Sequence, residues 1–577
     1  MLELICAGRD AQLLEAWRAR IERATGMLGW PAPTVASREH GDGASLAFSA
    51  PLDQLFTATE INEWAVCASL YERDPARWDL LEAALVAAQP EANPPPVLDE
   101  PGALERFLRL ASEEARPALR ALVDEARARG LPCLLDVELV SVGEGCVGRT
   151  WPVAALPALG SIDWSALGSV PVALVTGSNG KTTTVRLIAA CMREAGWTTG
   201  YSCTDGVFVD GRPIESGDYS GPVGARMVLR DPRVGAAVLE TARGGILRRG
   251  LAVEQARVAV VTNISADHFG EYGIHDLESL ADVKLVVGRA LTERGLLVLN
   301  ADDEVIRNRV PGGLRRGPGA PGLALFALDD DHELLRQHRA SGGWSAGVRG
   351  GRLRLHVRGQ DHELGLIDAM PLSAGGLARY NVANLAAAAL AATGLGVASQ
   401  TIAATFANFG RRGDDNPGRL MRFERGGVRI LLDYAHNPAG LRGVLELARS
   451  LQGHGRLALL LGHAGNREDA DLERIAEVVA GYRPDLVVVK EIDGYLRGRA
   501  EGEVARILRA ALLRRGLPGS SLPLQLREVE AARHALAWAR PGDVVLLLVH
   551  SLGARTQVLD LLGAPGRGSA GGAAQGA

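Results

Sequence analysis

The stretch TGSNGKTTT, residues 176–184, follows the apolar run PVALV and leads into the helical pattern VRLIAACMREAGW. Gly177 and Gly180 permit tight backbone angles, and successive backbone N–H groups at a helix start form a cradle for anions. Lys181 can neutralise phosphate charge, and Thr182 can ligate Mg²⁺. Strand, loop and helix in this order predict a nucleotide-binding site rather than a turn with a solvated lysine.

Beyond this loop, short apolar runs alternate with helical patterns from residue 171 onward. VALV (172–175), AAVLE (236–240), VAVVTN (258–263) and LLVLN (296–300) each lead into a polar or glycine-rich turn. Such runs are typical of buried parallel strands, whose carboxyl ends bind ligands in doubly wound sheets. A second series begins near residue 416 with VRILLDYAHNP, LALLLGHAGNR, DLVVVKEID and GDVVLLLVH. The fold class predicted is therefore α/β.

The composition is ordinary for a globular protein, with 47% apolar and 23% charged residues in 577. A net charge of −5 gives no reason to expect nucleic acid or an anionic membrane as a partner. The longest apolar runs are too short to span a bilayer, and residues 1–10 do not resemble a signal peptide. Six cysteines without C-x-x-C pairs favour small buried thiols in a reducing cytoplasm, so we expect a cytoplasmic protein.

The region before the loop has a different character. Residues 1–90 mix short strand-like and helix-like pieces, 103–130 show apolar residues at helical spacing, and LPCLLDVELVSVGEG is strand-rich. No catalytic cluster stands out there. The predicted organisation is an N-terminal α+β domain over 1–160, a central phosphate-loop domain with a doubly wound parallel sheet over 165–415, a C-terminal Rossmann-like α/β domain over 416–561 and a disordered tail over 562–577.

The loop departs from the pattern G-x-x-x-x-G-K-[ST], because Val175 stands where the first glycine belongs. The variant T-G-x-N-G-K-T-T resembles the phosphate loop of the Mur ligase family, the ATP-dependent amide-forming enzymes of peptidoglycan, folate polyglutamate and cyanophycin synthesis. Further motifs follow in the family's order: LETARGGILRRGL (239–251), VTNISADHFGEYG (261–273), LNADDE (299–304), GLARYNVANLAAA (376–388), NPGRLM (416–421), DYAHNPAG (433–440) and RGRAEGE (497–503).

This resemblance covers residues 165–550 and is most specific to the Mur-like half of the cyanophycin synthetase group. In that group an ATP-grasp module separates the N-terminal domain from the Mur-like half. About 150 residues before the loop are too few for both modules. We therefore expect the ATP-grasp module to be absent.

The resemblance implies a role for individual residues. Arg419 should face the phosphates, and Lys284 falls where many relatives carry a carbamylated lysine. The implied catalytic residues are Lys181, Glu240, His268, Lys284 and Arg419. The implied ATP-binding residues are Gly177, Ser178, Asn179, Gly180, Lys181, Thr182, Thr183, Asn381, Asn384, Arg419, Asp433 and His436, and the implied Mg²⁺ ligands are Thr182, Glu240 and His268.

Each of these residues, taken alone, has a simpler explanation. Glu240 could cap a turn, His268 could be a surface histidine, and Asp433 could end a strand. Their joint order in a recognised pattern favours the functional interpretation for these three residues and for Arg419. Lys284 stays open between a carbamylated lysine and a solvated helix lysine.

Three positions depart from the family pattern. Tyr380 stands where relatives often have histidine, Cys203 replaces a common hydroxyl residue, and Asn466 replaces the aspartate of G-D-R. The first two could tune the fit of a substrate. The third bears on the acceptor or nucleotide contacts of the C-terminal domain.

The chemistry that the resemblance implies is amide formation through an acyl phosphate, with release of ADP and phosphate. Amino-acid or peptide acceptors are the expected substrates, although the sequence does not identify them. A non-catalytic nucleotide-binding or scaffolding relative is the alternative, motivated by Asn466 and Tyr380, and a carboxylate kinase is a third. The oligomeric state stays open, although relatives form homo-oligomers, and a separate ATP-grasp ligase is a candidate partner.

Overall fold

The structure is a computed structural model that describes residues 2–5, 11–40, 43–76, 79, 99–267, 269–270, 272–309 and 322–563. The chain divides into two compact units. The first comprises Met1–Glu144, Gly148–Ser169 and Phe269–Ser279, and the second comprises Gly145–Val147, Val170–His268 and Leu280–Ala577. The domain boundaries predicted at residues 165, 416 and 562 stay predictions, and the predicted tail lies outside the described residues from 564 onward.

The first unit is a mixed α+β region. Two three-stranded sheets are antiparallel, one in the order β1-β3-β2 and one in the order β4-β5-β6. The helical pattern over 103–130 divides into two helices, because Pro117 lacks a backbone N–H and disfavours helical geometry at Arg116. The elements are β1 (Leu2–Ile5), α1 (Ala11–Met27), β2 (Val35–His40), β3 (Gly43–Phe48), α2 (Leu55–Arg73), α3 (Glu100–Glu114), α4 (Pro117–Ala128), β4 (Cys133–Leu135), β5 (Leu139–Val142) and β6 (Arg149–Pro152).

The second unit contains an eleven-stranded sheet, in the order β10-β9-β8-β11-β7-β12-β13-β14-β15-β16-β17. Strands β8, β11, β7, β12, β13, β14 and β15 run parallel, and antiparallel hairpins extend both edges. The strands are β7 (Val172–Thr176), β8 (Thr199–Cys203), β9 (Gly206–Val209), β10 (Arg212–Ser216), β11 (Ala236–Glu240), β12 (Ala256–Val261), β13 (Leu291–Asn300), β14 (Gly322–Asp329), β15 (Trp344–Arg349), β16 (Arg352–Val357) and β17 (Gln360–Leu366). The four runs predicted as parallel strands are confirmed as β7, β11, β12 and β13.

Helices cover this sheet. The alanine-rich helix α11 (Arg379–Leu395) is buried along most of its length and packs against α5 (Lys181–Glu194) and the strands β12 to β15, because small side chains let it approach them closely. The helices are α5 (Lys181–Glu194), α6 (Pro222–Arg230), α7 (Arg243–Arg249), α8 (Leu277–Leu285), α9 (Glu304–Arg307), α10 (Glu333–Ala340), α11 (Arg379–Leu395) and α12 (Ser399–Asn408).

A five-stranded sheet follows in the same unit, in the order β18-β19-β22-β20-β21, with the edge strand β18 antiparallel and the others parallel. This doubly wound arrangement confirms the α/β class predicted for the C-terminal part. The elements are β18 (Met421–Arg425), β19 (Val428–Asp433), α13 (Pro438–Gln452), β20 (Leu457–Leu461), α14 (Asp469–Gly481), β21 (Leu486–Val489), α15 (Glu503–Arg514), α16 (Glu528–Trp538), β22 (Val544–Leu548) and α17 (Leu552–Leu561).

Two other expectations meet the structure here. No described helix is long and apolar enough to cross a bilayer. The expectation of small buried thiols holds only in part: Cys191 and Cys203 are buried, Cys67 and Cys133 are half-buried, and Cys146, in a single 3-10 turn, is exposed. Cys6 lies outside the described residues.

Candidate functional site

The glycine-rich loop lies at the carboxyl end of β7, in the middle of the parallel strands. Gly180 is left-handed, with φ at 82°, and α5 begins at the next residue, Lys181. The N–H groups in the first turn of a helix lack carbonyl partners within that helix, so they are available to an anion. The position and the geometry both suit the binding of a phosphate group.

The segment after β12 holds this loop from one side. Asn263 Oδ1 accepts from the N–H of Asn179 (2.9 Å), and Asn263 Nδ2 donates to the Asn179 carbonyl (3.0 Å). The hydroxyl of Ser178 donates to the Ser265 carbonyl (2.9 Å) and accepts from the Ser265 N–H (3.0 Å). The hydroxyl of Thr262 donates to the Asn179 carbonyl (2.6 Å). These hydrogen bonds therefore fix the position of the loop.

The motif LNADDE supports that segment in turn. Asn300 Nδ2 donates to the Thr262 carbonyl (2.9 Å), and Asp303 Oδ2 accepts from the N–H of Ile264 (2.6 Å). The sequence identified this motif by resemblance but gave no role to its side chains. The structure shows that the side chains of Asn300 and Asp303 position the segment after β12, which in turn holds the phosphate loop.

Two asparagines of α11 approach the loop from another side. A Cβ on Gly180 would lie 2.2 Å from Asn384 Oδ1, so a larger residue would have to displace this side chain. Asn384 Nδ2 donates to Asn381 Oδ1 (3.1 Å), and Asn381 Nδ2 donates to the Leu372 carbonyl (3.1 Å). Both predicted residues are buried; Asn384 stands beside the phosphate loop, and Asn381 holds the Asn384 amide.

Lys181 folds back over the loop. Its ammonium group donates to the carbonyls of Gly177 (3.0 Å) and Ser178 (3.1 Å). This arrangement keeps a positive charge beside the N–H groups of the helix start. A phosphate in the cradle would therefore be neutralised at short range.

Thr182 and Glu240 meet at the end of β11. The Thr182 hydroxyl donates to Glu240 Oε2 (2.8 Å), and the hydroxyl of Thr204 donates to Glu240 Oε1 (2.9 Å). Glu240 is buried, with 2% of its surface exposed. These oxygens are of the kind that Mg²⁺ prefers, and the two predicted ligands lie together. The third, His268, lies outside the described residues, and no cluster of three His, Cys, Asp or Glu side chains suited to a metal occurs among those described.

Lys284 is buried in α8, with 3% of its surface exposed. This excludes the solvated lysine that the sequence left open. Burial, together with the charges of Lys181 and Arg243, lowers the pKa of Lys284 to about 7, although Asp267 acts in the opposite direction. Its amine is therefore substantially neutral near neutral pH.

The connection between the two sheets also contributes side chains. Arg419 lies over the ring of Tyr434, with 3.8 Å from the guanidinium carbon to the ring centroid. Asp433 accepts from the backbone N–H groups of Leu420 (2.8 Å) and Ala435 (2.8 Å). Burial raises the pKa of Asp433, although Arg419 and these bonds act against the rise. Asp433 therefore fastens the connecting segment to β19.

An ion cluster beside Arg419 was not predicted. Asp205 Oδ2 accepts from Arg186 (2.8 Å), and Asp205 Oδ1 accepts from Arg555 of α17 (2.7 Å). Burial disfavours the charge of Asp205, yet Arg419, Arg186 and Arg555 together lower its pKa to about 2. The position of Asp205 two residues after Cys203, in a turn at a strand end, was the only signal in the sequence.

The loop after β19 reaches the phosphate loop. Asn437 caps α13 by accepting from the N–H of Gly440 (2.9 Å), and a Cβ on Gly440 would lie 3.1 Å from Asn179 Oδ1. The carbonyl of His436 lies 2.7 Å from His463 Nε2. The structure thus brings the predicted DYAHNPAG loop against the predicted phosphate loop.

A second cross-connection joins the two sheets. Arg467 donates to Asp267 (3.0 Å), and both side chains are largely buried. Arg499, in the RGRAEGE motif, donates to the carbonyls of Gly465 (3.0 Å) and Arg467 (2.6 Å). This motif therefore shapes the loop that carries Asn466, one of the departures from the family pattern.

The other two departures are also located. Cys203 is buried, and burial raises the pKa of its thiol to about 12, so it is protonated. Tyr380 packs against α13, where a Cβ on Gly443 would lie 3.0 Å from its ring. The Tyr380 hydroxyl is buried and finds no hydrogen-bond partner among the described residues.

Comparisons with known proteins agree with this geometry. Residues 175–392 match the family of the Mur ligase middle domain, and residues 418–548 match the family described as Mur ligase, glutamate ligase domain. Cyanophycin synthetase of Trichormus variabilis is 36% identical over 400 residues, which are 69% of this chain and 43% of that protein. The chain thus spans less than half the length of the cyanophycin synthetases that it matches.

Two further relatives extend the likeness. The UDP-N-acetylmuramoyl-L-alanyl-D-glutamate--2,6-diaminopimelate ligase of Alkalilimnicola ehrlichii is 31% identical over 383 residues, covering 65% of this chain and 70% of that protein. The structure of E. coli FolC in complex with DHPP and ADP has a TM-score of 0.50 at 20% identity, covering 68% of this chain and 89% of that chain. The matches confirm the resemblance predicted from the motifs, and FolC shares the fold.

Proposed function

This chain belongs to the Mur ligase family, and we propose that it is an ATP-dependent ligase that joins a carboxylate of an amino-acid or peptide acceptor to an amine. The observation that carries this proposal is the contact between Thr182 and Glu240 beside the phosphate loop, with 2.8 Å between their oxygens. A hydroxyl and a carboxylate at that place are what a Mg²⁺ bound to nucleotide phosphates requires.

The residues of the loop fit a magnesium nucleotide. The start of α5 offers backbone N–H groups, and the carbonyls of Gly177 and Ser178 hold the ammonium of Lys181 beside them. Thr182 and Glu240 would hold the metal ion, with His268 as a further candidate. ATP bound there would supply the phosphoryl group that activates the acceptor carboxylate.

The proposed reaction has two steps. An oxygen of the acceptor carboxylate bonds to the γ-phosphorus as the bond to the β,γ-bridging oxygen breaks, giving an acyl phosphate and ADP. The amine nitrogen then bonds to the acyl carbon, phosphate leaves, and the nitrogen loses a proton. Lys181 and Arg419 would balance the charge that develops on the phosphoryl group.

Lys284 extends the proposal. Its buried amine, with a pKa lowered to about 7, can attack CO₂ in its neutral form to give a carbamate and a proton. A carbamate would reverse the charge at this position and make it an oxygen ligand for a second metal ion. An unmodified, protonated Lys284 would repel that ion.

The experiment that tests the function measures release of ADP and phosphate by the purified protein with Mg²⁺, ATP and bicarbonate. Amino acids and short β-aspartyl or γ-glutamyl peptides are supplied singly and in pairs, with Lys181→Ala as the control. Turnover that needs both a carboxylate and an amine, and that the substitution abolishes, supports the ligase. Micromolar ATP binding without turnover across the panel, and without transfer of labelled phosphate to any acid, supports the non-catalytic scaffold instead.

A further inference from the structure

Lysine is rare in this chain. Of its 63 basic residues only Lys181, Lys284 and Lys490 are lysines, and the rest are arginines. The first two belong to the site described above. Lys490 stands directly after β21 and is fully buried, and the proposed reaction gives it no role.

Lys490 forms a buried ion pair with Glu528, with 2.8 Å from Nζ to Oε1 and no exposed surface on either side chain. Burying two charges is costly unless further hydrogen bonds satisfy them. Glu528 also accepts from the N–H groups of His550 (2.9 Å) and Ser551 (2.9 Å). Lys490 also donates to His550 Nδ1 (3.3 Å). A compact ammonium with three donors suits this position, whereas a planar guanidinium is larger.

These contacts fix the tautomer of His550. The ammonium of Lys490 can only donate, so Nδ1 must be the acceptor and Nε2 must carry the hydrogen. Nε2–H therefore donates to the carbonyl of Ala435, 3.2 Å away. The ion pair thus holds His550 as a neutral imidazole, and the Nε2–H of this ring points at the loop after β19.

His463, at the end of β20, repeats this arrangement. Its Nδ1 accepts from the N–H of Ala464 (2.8 Å), so Nε2–H donates to the carbonyl of His436 (2.7 Å). Two neutral histidines from neighbouring strand ends therefore hold consecutive carbonyls, those of Ala435 and His436. The next residue, Asn437, caps α13, whose first turn packs against Asn179 of the phosphate loop.

We infer that His463 and His550 are positioning residues that set the distance between the 435–440 segment and the phosphate loop, and that Lys490 and Glu528 act through His550. This inference rests on the proposed function, since it assigns the positioned segment to the nucleotide site. The effect of the two histidines on a bound nucleotide is exerted through the two carbonyls and the start of α13.

Protonation of either imidazole would oppose the hydrogen bond that its Nδ1 accepts. A proton on Nδ1 of His550 would face the Lys490 ammonium, and one on Nδ1 of His463 would face the Ala464 N–H. The other groups that face them are the Tyr434 ring and Glu528 for His550, and Arg467, His436 and His550 for His463. Burial lowers the pKa of both histidines, more strongly for His463.

The test compares substitutions that keep or remove the donor. Glutamine carries its amide at the reach of Nε2 and asparagine at that of Nδ1, so His463→Gln and His550→Gln keep a donor for the carbonyl, whereas His463→Asn and His550→Asn lose it. The readouts are the dissociation constant for Mg·ADP and amide hydrogen exchange over residues 433–440. His454→Ala, an exposed histidine in the same part of the fold, is the matched control.

We expect each asparagine variant to bind Mg·ADP about tenfold more weakly, with faster exchange over 433–440, because one hydrogen bond is lost. The glutamine variants and His454→Ala should stay within about twofold of the wild type. Equal ADP affinities and equal exchange for the asparagine and glutamine variants would overturn the inference. Because ADP binding needs no turnover, a wild type that binds ADP but ligates nothing would count against the proposed function and leave this test intact.

Discussion

The hydroxyl of Thr182 donates to the carboxylate of Glu240 across 2.8 Å, joining residues 58 positions apart in the sequence. If both oxygens hold Mg²⁺, Glu240→Gln should lower turnover about 100-fold and raise the Mg²⁺ concentration needed for half-maximal rate. Glu215→Gln, at an exposed position of β10, is the control. A Glu240→Gln variant with wild-type dependence on Mg²⁺ would remove this residue from the metal site.

Gly180 offers a test of close packing at the phosphate loop. Gly180→Ala introduces a methyl group 2.2 Å from Asn384 Oδ1 at a φ of +82°. Gly196→Ala introduces the same group at a φ of +88° with no described atom within 4 Å. Both variants bear backbone strain of about 1 kcal/mol.

The two alanine variants should therefore differ in their affinity for nucleotide, although their backbone strain is the same. We expect Mg·ADP to bind at least about tenfold more weakly to Gly180→Ala, and unchanged to Gly196→Ala, by calorimetric titration. Equal affinities for the two single variants would show that the contact with Asn384 has no influence on the site.

From the lowered pKa of Lys284 we expect the stability of the protein to depend on pH. Its pKa is lowered from 10.5 to about 7 by burial, so between these values the unfolded state binds more protons than the folded state. The wild type should gain stability with rising pH in that window, relative to Lys284→Met, by about 1.4 kcal/mol per pH unit. Below pH 7 the difference should be constant, with the methionine variant more stable.

Urea unfolding of both proteins between pH 6 and pH 9, in buffers free of CO₂, measures this difference. If the free energies of unfolding of the two proteins change in parallel over the whole pH range, the pKa of the Lys284 amine is not lowered. Adding bicarbonate to the wild type should then increase its mass by the carbamate and its stability, because CO₂ reacts with the neutral amine that the folded state provides in this pH range.

Replacing Asp205 measures how much free energy of unfolding is lost when a buried ion cluster is broken. Asp205→Asn leaves Arg186 and Arg555 without their shared carboxylate, which should cost about 2–4 kcal/mol and lower the unfolding midpoint by several degrees. The depressed pKa, from 3.8 to about 2, contributes stability above pH 3.8 that is lost only as the pH falls through that interval. The deficit of the variant should therefore be the same at pH 7 and pH 5, by thermal unfolding.

Asp210→Asn, at an exposed turn of the same region, is the control for this substitution. A deficit for Asp205→Asn no larger than that of the control would mean that solvent replaces the carboxylate at no cost. A deficit that grows between pH 7 and pH 5 would mean that the pKa of Asp205 is raised and not lowered.

The parallel strands could be predicted from the sequence because their burial on both faces leaves a plain signal. VALV and AAVLE are continuous apolar runs, and both form fully buried strands, β7 and β11. The positions of Lys181 and Thr182 followed from the glycine-rich loop after β7. Glu240, in contrast, was assigned from the resemblance of its motif to the Mur ligase family.

Contacts between distant residues could not be predicted in this way. Arg555 meets Asp205 across 350 positions, and Arg467 meets Asp267 across 200. In a chain with so many arginines, nothing local distinguishes those two from the exposed ones. The hydrogen-bonding state of His463 and His550 depends equally on partners that only the folded chain assembles.

The first unit takes part of its chain from the middle of the sequence, where Phe269–Ser279 joins residues that end at Ser169. The side chain of Arg38 donates to the carbonyl of Tyr272, so this late segment bonds to an early strand. During synthesis on the ribosome, the amino-terminal unit therefore cannot be complete until more than a hundred later residues have been translated. A fragment that stops at residue 169 would lack a piece of its own fold, and excision at a single point would not release either unit intact.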